Sequence, residues 1–239
     1  PAVTDPAASD QSYRVAPSTV REQVADAIRR ALMARRFRPG QRLPESELCA
    51  LTGASRTAVR EAIRQLAGEG LIETIPHRGP FVATIDAARA ADIYEIRIPL
   101  EALLARRAAL RITAPDAAAL TATLPAMAAA FAARDPLSII EAKTAFYAAL
   151  NTASANPELE EVLTRYARLL SLIWPAMIAE TGTGDTAMAE VTEVVAAITA
   201  HDPDRAEAAM RRHIETAAAQ AVDWLAAQER DAPRPPAQP

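Results

Sequence analysis

The sequence predicts a mainly α-helical protein in two parts: a small module of helices closed by a β-hairpin, then a larger bundle built only of helices. Three observations carry this. Apolar residues recur at helical spacing from the outset, at Val20, Val24, Ala27, Ile28 and Leu32. A single stretch, "LIETIPHRGPFVATI", holds two short β-rich runs joined by a turn. After Asp86 every segment reads as helix, punctuated by "TAPD", "RDP", "NPE", "TGTGD" and "HDPD", which supply N-caps and prolines for first turns.

Taken in order, residues 1–16 are polar, aperiodic and contain proline, and read as a flexible tail. The first helix starts near Ser18, with Thr19 and Glu22 as a T-x-x-E capping box. "FRPGQRLP" ends it at Pro39-Gly40. "ESELCAL" follows as a short helix, "TGA" as a tight turn, and "SRTAVREAIRQLAGEG" as a longer helix. Ser55 is its N-cap, and Ala58, Val59, Ala62, Ile63 and Leu66 form its inner face. The hairpin comes next, turning at "HRG". Helices are then expected over 87–111, 115–133, 136–152, 157–180, 185–200 and 204–229. Pro99, Pro125 and Pro175 fall inside these and should kink or break them. The last stretch, "DAPRPPAQP", is too rich in proline to be helical. This divides the chain into a tail at 1–16, a first domain at 17–85, a helical domain at 86–230 and a tail at 231–239.

Charge is divided along the same line. Residues 17–84 carry 11 Arg against 7 Asp and Glu, a net of +4, while the remainder carries 15 Lys and Arg against 23 acids, a net of −8. A basic first third joined to an acidic remainder suits a nucleic-acid module attached to a domain of another kind. The single cysteine, Cys49, cannot pair within its chain, and no signal-like apolar run is present, which points to the cytoplasm. No apolar stretch approaches the roughly 18–20 residues that a bilayer requires, so no membrane span is expected. Cys49 lies in the short helix as a core residue. Three histidines, no paired acids, no nucleophile beside a base and no phosphate-binding glycine loop leave a Schiff-base lysine at Lys143 as the one enzymatic option, and no enzyme is expected.

Helix, short helix, turn, helix and hairpin is the order of a winged helix-turn-helix. In that arrangement the second helix of the pair offers its N-terminal residues to base edges in the major groove, and the hairpin reaches the backbone or the minor groove. Ser55, Arg56, Thr57 and Arg60 lie on the first turn and a half of that helix, away from its apolar face. Arginine can bond guanine with two N–H groups, and a hydroxyl can take a phosphate. On the wing, His77 and Arg78 precede Gly79, bringing positive charge to a tight turn. Solvated surface arginines would be the alternative for any one of these, but the whole constellation favours DNA.

The stretch "RLPESELCALTGASRTAVREAIRQLAGEGLIETIPHRGPFV" resembles the winged-helix domain of the GntR family of bacterial transcription regulators, above all in "SRTAVREAI", "EGLI" and "HRG". Ala58 and Ala54 depart from the usual proline and valine. The resemblance implies operator contacts by Arg56, Thr57 and Arg60, with Gly79 and its neighbours in the wing. The rest of the chain resembles, more loosely, the all-helical FCD effector domain of the FadR-like branch, in "DIYEIRIPLEALLARRAA", "FYAALNTASANPEL" and "DPDRAEAAMRRHI". Many members of that branch hold a divalent metal through one Asp and three His. At the matching positions this chain has Lys143, Tyr147, Val191 and His213. A cation, a phenol, a valine and one imidazole cannot build that site, so no metal or other cofactor is expected.

Lys143 is the only lysine in the chain. It shares a helix face with Ile139, Phe146 and Leu150, and so points inward. Arg97 has a like setting among Ile93, Tyr94, Leu100 and Leu104. A pocket of Arg97, Lys143 and His213, with Tyr147 as hydroxyl donor, would suit a small anionic effector. Other readings stay open: Lys143 reaching the surface or pairing with Glu101, Arg97 in an ion pair with Glu101, and His213 and Tyr147 as plain core. Trp174 and Trp224 read as packing or dimer residues. The expectation is a ligand-responsive regulator, a repressor binding an inverted repeat as a homodimer. The alternative is a constitutive DNA-binding protein whose helical domain only dimerises.

Overall fold

The computed structural model describes residues 20–231. The tails read at 1–16 and 231–239 lie outside the described residues, save Asp231, which closes the last helix, and Thr19 of the capping box lies outside them too. The fold is mainly α, an N-terminal winged helix-turn-helix followed by an all-helical domain.

In the N-terminal part α1 (Val20–Met33), α2 (Glu45–Thr52) and α3 (Arg56–Gly68) precede the antiparallel strands β1 (Ile72–Ile75) and β2 (Gly79–Val82). The turn from α2 to α3 is made at Gly53, whose φ of 68° is left-handed. Ser55 then caps α3, its Oγ accepting from the Ala58 N–H at 3.3 Å. Val59, Ala62, Ile63 and Leu66 of α3 are buried against Ile28, Leu32, Leu43 and Leu71. Each of the larger side chains contributes about 1.5–3 kcal/mol by leaving water. The wing pairs Ile72 with Val82 and Ile75 with Gly79. An isolated bridge from Arg42 to Phe81 lays the α1–α2 connection along its outer edge.

The second part comprises α4 (Ala87–Arg111), α5 (Ala114–Ala133), α6 (Pro136–Ser154), α7 (Pro157–Leu170), α8 (Trp174–Thr181), α9 (Gly184–Thr199) and α10 (Pro203–Asp231). Asp86, Thr113, Asp135 and Asn156 cap the first four with side-chain oxygens, which satisfies N–H groups that have no partner within the helix. The long helices α4 and α10 pack together, α9 lies beside α10, and α5 packs on α6 and α9.

Three expectations change. The helix expected over 157–180 is two helices, because the chain turns at Ser171–Ile173 and Pro175 falls in the first turn of α8, where a missing N–H costs nothing. Pro99 and Pro125 do not end their helices, and both sit on exposed faces. α5 is, by length and composition, apolar enough to span a bilayer, contrary to the expectation that no stretch would be. Its apolarity is mostly alanine, and Leu120, Met127, Ala130 and Phe131 bury one side of it against the bundle.

The two parts meet closely. Leu172, in the turn before α8, joins the apolar core of the winged helix. Gly70, at φ +78°, follows α3 at a point where an added Cβ would lie 2.7 Å from Leu169 Cδ2. The left-handed backbone favours glycine there, and any side chain would also have to displace the Leu169 methyl.

Candidate functional site

The end of α3 that Ser55 caps carries the first surface. Ser55, Arg56, Thr57 and Arg60 are all exposed, on the side opposite Val59, Ile63 and Leu66. Arg60 Nε donates to both carboxylate oxygens of Glu45, at 2.8 and 3.0 Å, so α2 holds this guanidinium in place beside the helix. On the wing, His77 takes a left-handed φ of 61° and Gly79 a φ of 90°, which turns the hairpin in three residues. His77 and Arg78 stand exposed at its tip, and the Arg78 guanidinium lies 5.4 Å from the Phe81 ring. Arg42 is a further basic residue here that sequence reasoning missed. It is exposed and bridges to Phe81, and its sign in the sequence was only one of two arginines in a proline-glycine loop.

The second feature is a cavity of about 340 Å³ lined by residues of α1, α4, α6 and α7 and by Trp174. Its floor is formed by Arg97 and Glu101 of α4, Lys143 and Tyr147 of α6, and Trp174 at the start of α8. Arg97 and Glu101 are one helical turn apart and almost wholly buried, at 2% and 1% exposure. Their nearest atoms, Nη2 and Oε1, are 2.5 Å apart, an ion pair by distance. The pair is poorly aligned for hydrogen bonding, and Glu101 Oε1 and the guanidinium Nε and Nη1 find no hydrogen-bond partner among the described residues. Glu101 Oε2 accepts instead from the Tyr147 hydroxyl at 2.6 Å. The guanidinium also lies 5.1 Å from the Tyr94 ring centroid and 5.0 Å from that of Trp174, and Trp174 Nε1 donates to the Tyr94 hydroxyl at 2.9 Å.

Lys143 is half-buried in the cavity wall, with Nζ 4.3 Å from the centroid of the Trp174 ring. Among the described residues no carboxylate forms an ion pair with it. Burial and the neighbouring Arg97 charge lower its pKa to about 8, against the pull of Glu101. Burial pushes the Tyr147 phenol well above its ordinary value, and the Glu101 charge adds to that. Burial also works against the charge on Arg97, but the Glu101 carboxylate beside it favours that charge, and Arg97 stays protonated. The floor is thus cationic in net effect, with an unpaired ammonium and orphaned guanidinium donors around a space the size of a small organic molecule.

The structure brings Arg97, Lys143 and Tyr147 together as the helical spacing implied, and it does not bring His213 to them. His213, on α10, is buried elsewhere, with Nδ1–H donating to Glu190 Oε2 at 2.9 Å while the Thr216 hydroxyl donates to Oε1 at 2.8 Å. Burial opposes the Glu190 charge, but these two bonds hold its carboxyl below the ordinary value. The imidazole is a satisfied core group. Trp174, read as a packing or dimer residue, is buried in the core and also lines the cavity, and Trp224 donates to Glu180 at 2.8 Å. Arg29, Met33 and Arg168 also line the cavity, and nothing in their local pattern marked them.

The donor set at the four positions that the resemblance implies as metal ligands does not suit an ion. Lys143 is a cation, Tyr147 gives its hydroxyl hydrogen to Glu101, Val191 has no donor atom, and His213 is bound to Glu190. Among the described residues no group of three or more His, Cys, Asp or Glu is placed to hold one.

A capped helix with an exposed basic face beside a basic wing, joined to a helical domain with an internal cavity, defines a DNA-binding regulator with an effector domain. Residues 15–82 match the bacterial regulatory proteins of the gntR family, and residues 92–216 match the FCD domain. The chain belongs to the GntR family of transcriptional regulators and carries an FCD effector domain. It is 30% identical over 203 residues to the "Probable D-xylose utilization operon transcriptional repressor" of Paenarthrobacter nicotinovorans, which covers 85% of this chain and 89% of that one. It is 40% identical over 84 residues to the Nta operon transcriptional regulator of Aminobacter aminovorans, a match that spans 35% of this chain and 40% of that relative's length. Among solved structures it is similar to Escherichia coli McbR/YncC, with a TM-score of 0.71 at 23% identity over 89% of this chain and all of that one, a likeness of fold.

Proposed function

We propose that this regulator is a repressor that binds an inverted-repeat operator as a homodimer in the cytoplasm and is modulated by a small anionic metabolite, such as an organic acid, held in the helical domain without a metal. The single observation that carries the reading is Lys143, a cation with no carboxylate ion-paired to it among the described residues, in a cavity floored by the orphaned donors of Arg97. A cation partly withdrawn from water without a carboxylate partner is costly, and an anionic ligand supplies a counter-charge. Tyr147 and Arg97 both engage the Glu101 carboxylate, through Oε2 and Oε1 respectively.

A second copy is the natural partner for α4. Ile96, Leu103 and Leu110 are spaced by seven residues on one exposed face of it, at 43%, 39% and 62% exposure. Two winged helices on a two-fold axis would double the specific contacts that one can make.

The Arg97–Glu101 contact favours a second reading, in which the pair is internal structure and the protein binds DNA constitutively. One experiment separates the two. DNA sequences are selected with the purified protein, and binding to the selected duplex is followed by fluorescence anisotropy with and without a panel of small carboxylates and phosphates. A change in affinity that is lost in Lys143→Met supports the regulator. Binding insensitive to the whole panel supports the constitutive reading.

A further inference from the structure

The cavity is closed on one side by the winged helix itself. Arg29 and Met33 of α1 line it together with Arg168 and Ser171 at the end of α7, so its wall spans both parts of the protein. Those two arginines converge on Glu69, the residue that ends the recognition helix α3. Arg29 Nη2 donates to Glu69 Oε1 at 2.8 Å and to Oε2 at 2.9 Å, and its Nε donates to Oε2 at 3.1 Å. Arg168 Nη1 stands 3.9 Å from Oε1 of the same carboxylate. Gln65 Nε2, one turn back on α3, adds a bond at 3.2 Å, and Asp26 takes Arg29 Nη1. Arg168 also lines the adjoining cleft that holds Gly68 and Glu69. Four cationic side chains, Arg29, Arg97, Lys143 and Arg168, thus face the cavity against the two carboxylates of Glu101 and Glu160.

We propose that an anion held at Lys143 is shared with Arg29 and Arg168 and draws them from Glu69, so that the effector acts on the end of the recognition helix directly across the cavity wall. This rests on the reading of the cavity as an anion site and adds the route by which occupancy is felt. Glu69 and the ligand are competing acceptors for the same charge-assisted donors, so whatever the ligand gains the α1–α3 junction loses. Gly70 and Leu169 lie beside Glu69 and Arg168 in the chain and touch across the same seam, so a change at Glu69 reaches the packing between the two parts.

The test uses the full chain with citrate, glutarate and inorganic phosphate as probes. Binding is read by Trp174 fluorescence in a W224F background, and the junction is read by hydrogen–deuterium exchange of the α1 and α3 peptides. At least one probe should bind, raise exchange in the last turn of α3, and lose about tenfold or more in affinity in Lys143→Met and in Arg29→Gln. Glu69→Gln should bind the same probe about threefold to tenfold more tightly, because it releases both arginines, and its α3 exchange should resemble that of the occupied wild type before any probe is added. A gain in affinity is not what a merely structural glutamate would give on removal. If a probe binds with dependence on Lys143 while the α1 and α3 peptides and the Glu69→Gln affinity stay at wild-type values, the route is overturned and the anion site stands. If no probe changes Trp174 fluorescence, the anion site fails and the route with it.

Discussion

The ammonium of Lys143 lies over the face of Trp174, 4.3 Å from the ring centroid, and this contact takes the place a carboxylate would have filled. An indole face attracts a cation without neutralising it. The charged groups around the pair are Arg97 and Glu101, with the phenols of Tyr94 and Tyr147 raised above their usual range and so uncharged through the slightly alkaline region. Lys143 therefore remains a charge available to an incoming anion at neutral pH.

Its depressed pKa gives a pH signature with a definite sign. Between about 8 in the folded protein and 10.5 in the unfolded chain, the unfolded state holds the additional proton. Stability should thus rise with pH across that window, and below it the cost of the buried ammonium is fully present. Ligand affinity should move the opposite way and fall as pH rises through about 8, because the cation that binds the anion is lost. Lys143→Met should flatten the stability slope between these limits, raise the melting temperature at neutral pH and weaken anion binding by about tenfold or more. Thermal melts across the pH range, with and without a bound probe, check all three. A mutant as pH-sensitive as the wild type in this window would show that another group titrates there.

The Arg97–Glu101 pair should behave as a buried charge that depends on its partner. Both side chains are more than nine-tenths buried. Removing one should therefore cost about 3–5 kcal/mol, since the other is left unpaired in the interior. We expect Glu101→Leu to fall in that range by urea unfolding, and Arg97→Met/Glu101→Leu together to recover most of the loss. Strict additivity of the two changes would mean that the charges do not depend on one another.

On the DNA side, the reading helix and the wing should divide specificity from charge. Arg56→Ala should lose about 1–3 kcal/mol against the selected operator and relax the preference at one base pair. Arg78→Ala should weaken all sequences alike and reduce the slope of log affinity against log salt by about one. Ser55→Ala should lower stability by about 1 kcal/mol through the lost cap on Ala58, before any effect on DNA. Salt-dependent anisotropy on selected and scrambled duplexes separates the first two. Equilibrium unfolding measures the third.

The winged helix was legible because its signals are local. A serine before "RTAVREAI", glycines at left-handed positions such as Gly53 and Gly79, and apolar residues at helical spacing set cap, turn and inner face close together in the chain. The same periodicity turned Lys143 and Arg97 inward, and their placement together follows from two neighbouring helices presenting those faces. His213 did not follow, because whether an imidazole lines a pocket depends on what lies opposite, and here that is Glu190 of α9. Trp174 was hidden by an apolar run, "LLSLIWP", that gave no sign of the turn between α7 and α8. Arg29 and Arg168 were out of reach altogether, since the wall they form is assembled from segments far apart in the chain, and their own neighbourhoods read as ordinary exposed helix.

The exposed stripe on α4 leads to the last expectation, that of self-association. Ile96, Leu103 and Leu110 fall on one line because seven residues are close to two full turns, while Leu104, Ala105 and Ala108 of the same helix are buried within the bundle. A stable dimer needs about 1,200–2,000 Å² of total buried surface, more than three side chains supply, so neighbouring groups must join in. Arg107, between Leu103 and Leu110, has a buried Nε with no hydrogen-bond partner among the described residues and is placed to be one of them. Leu103→Glu with Leu110→Glu would put carboxylates on the exposed line proposed above for contact with a second copy. We expect this variant to sediment as a monomer with unchanged far-ultraviolet circular dichroism, and to bind a single half-site with the specificity of the wild type but lose the gain in affinity that a full inverted repeat gives. A variant that remains dimeric would place the two-fold axis on another face of the molecule.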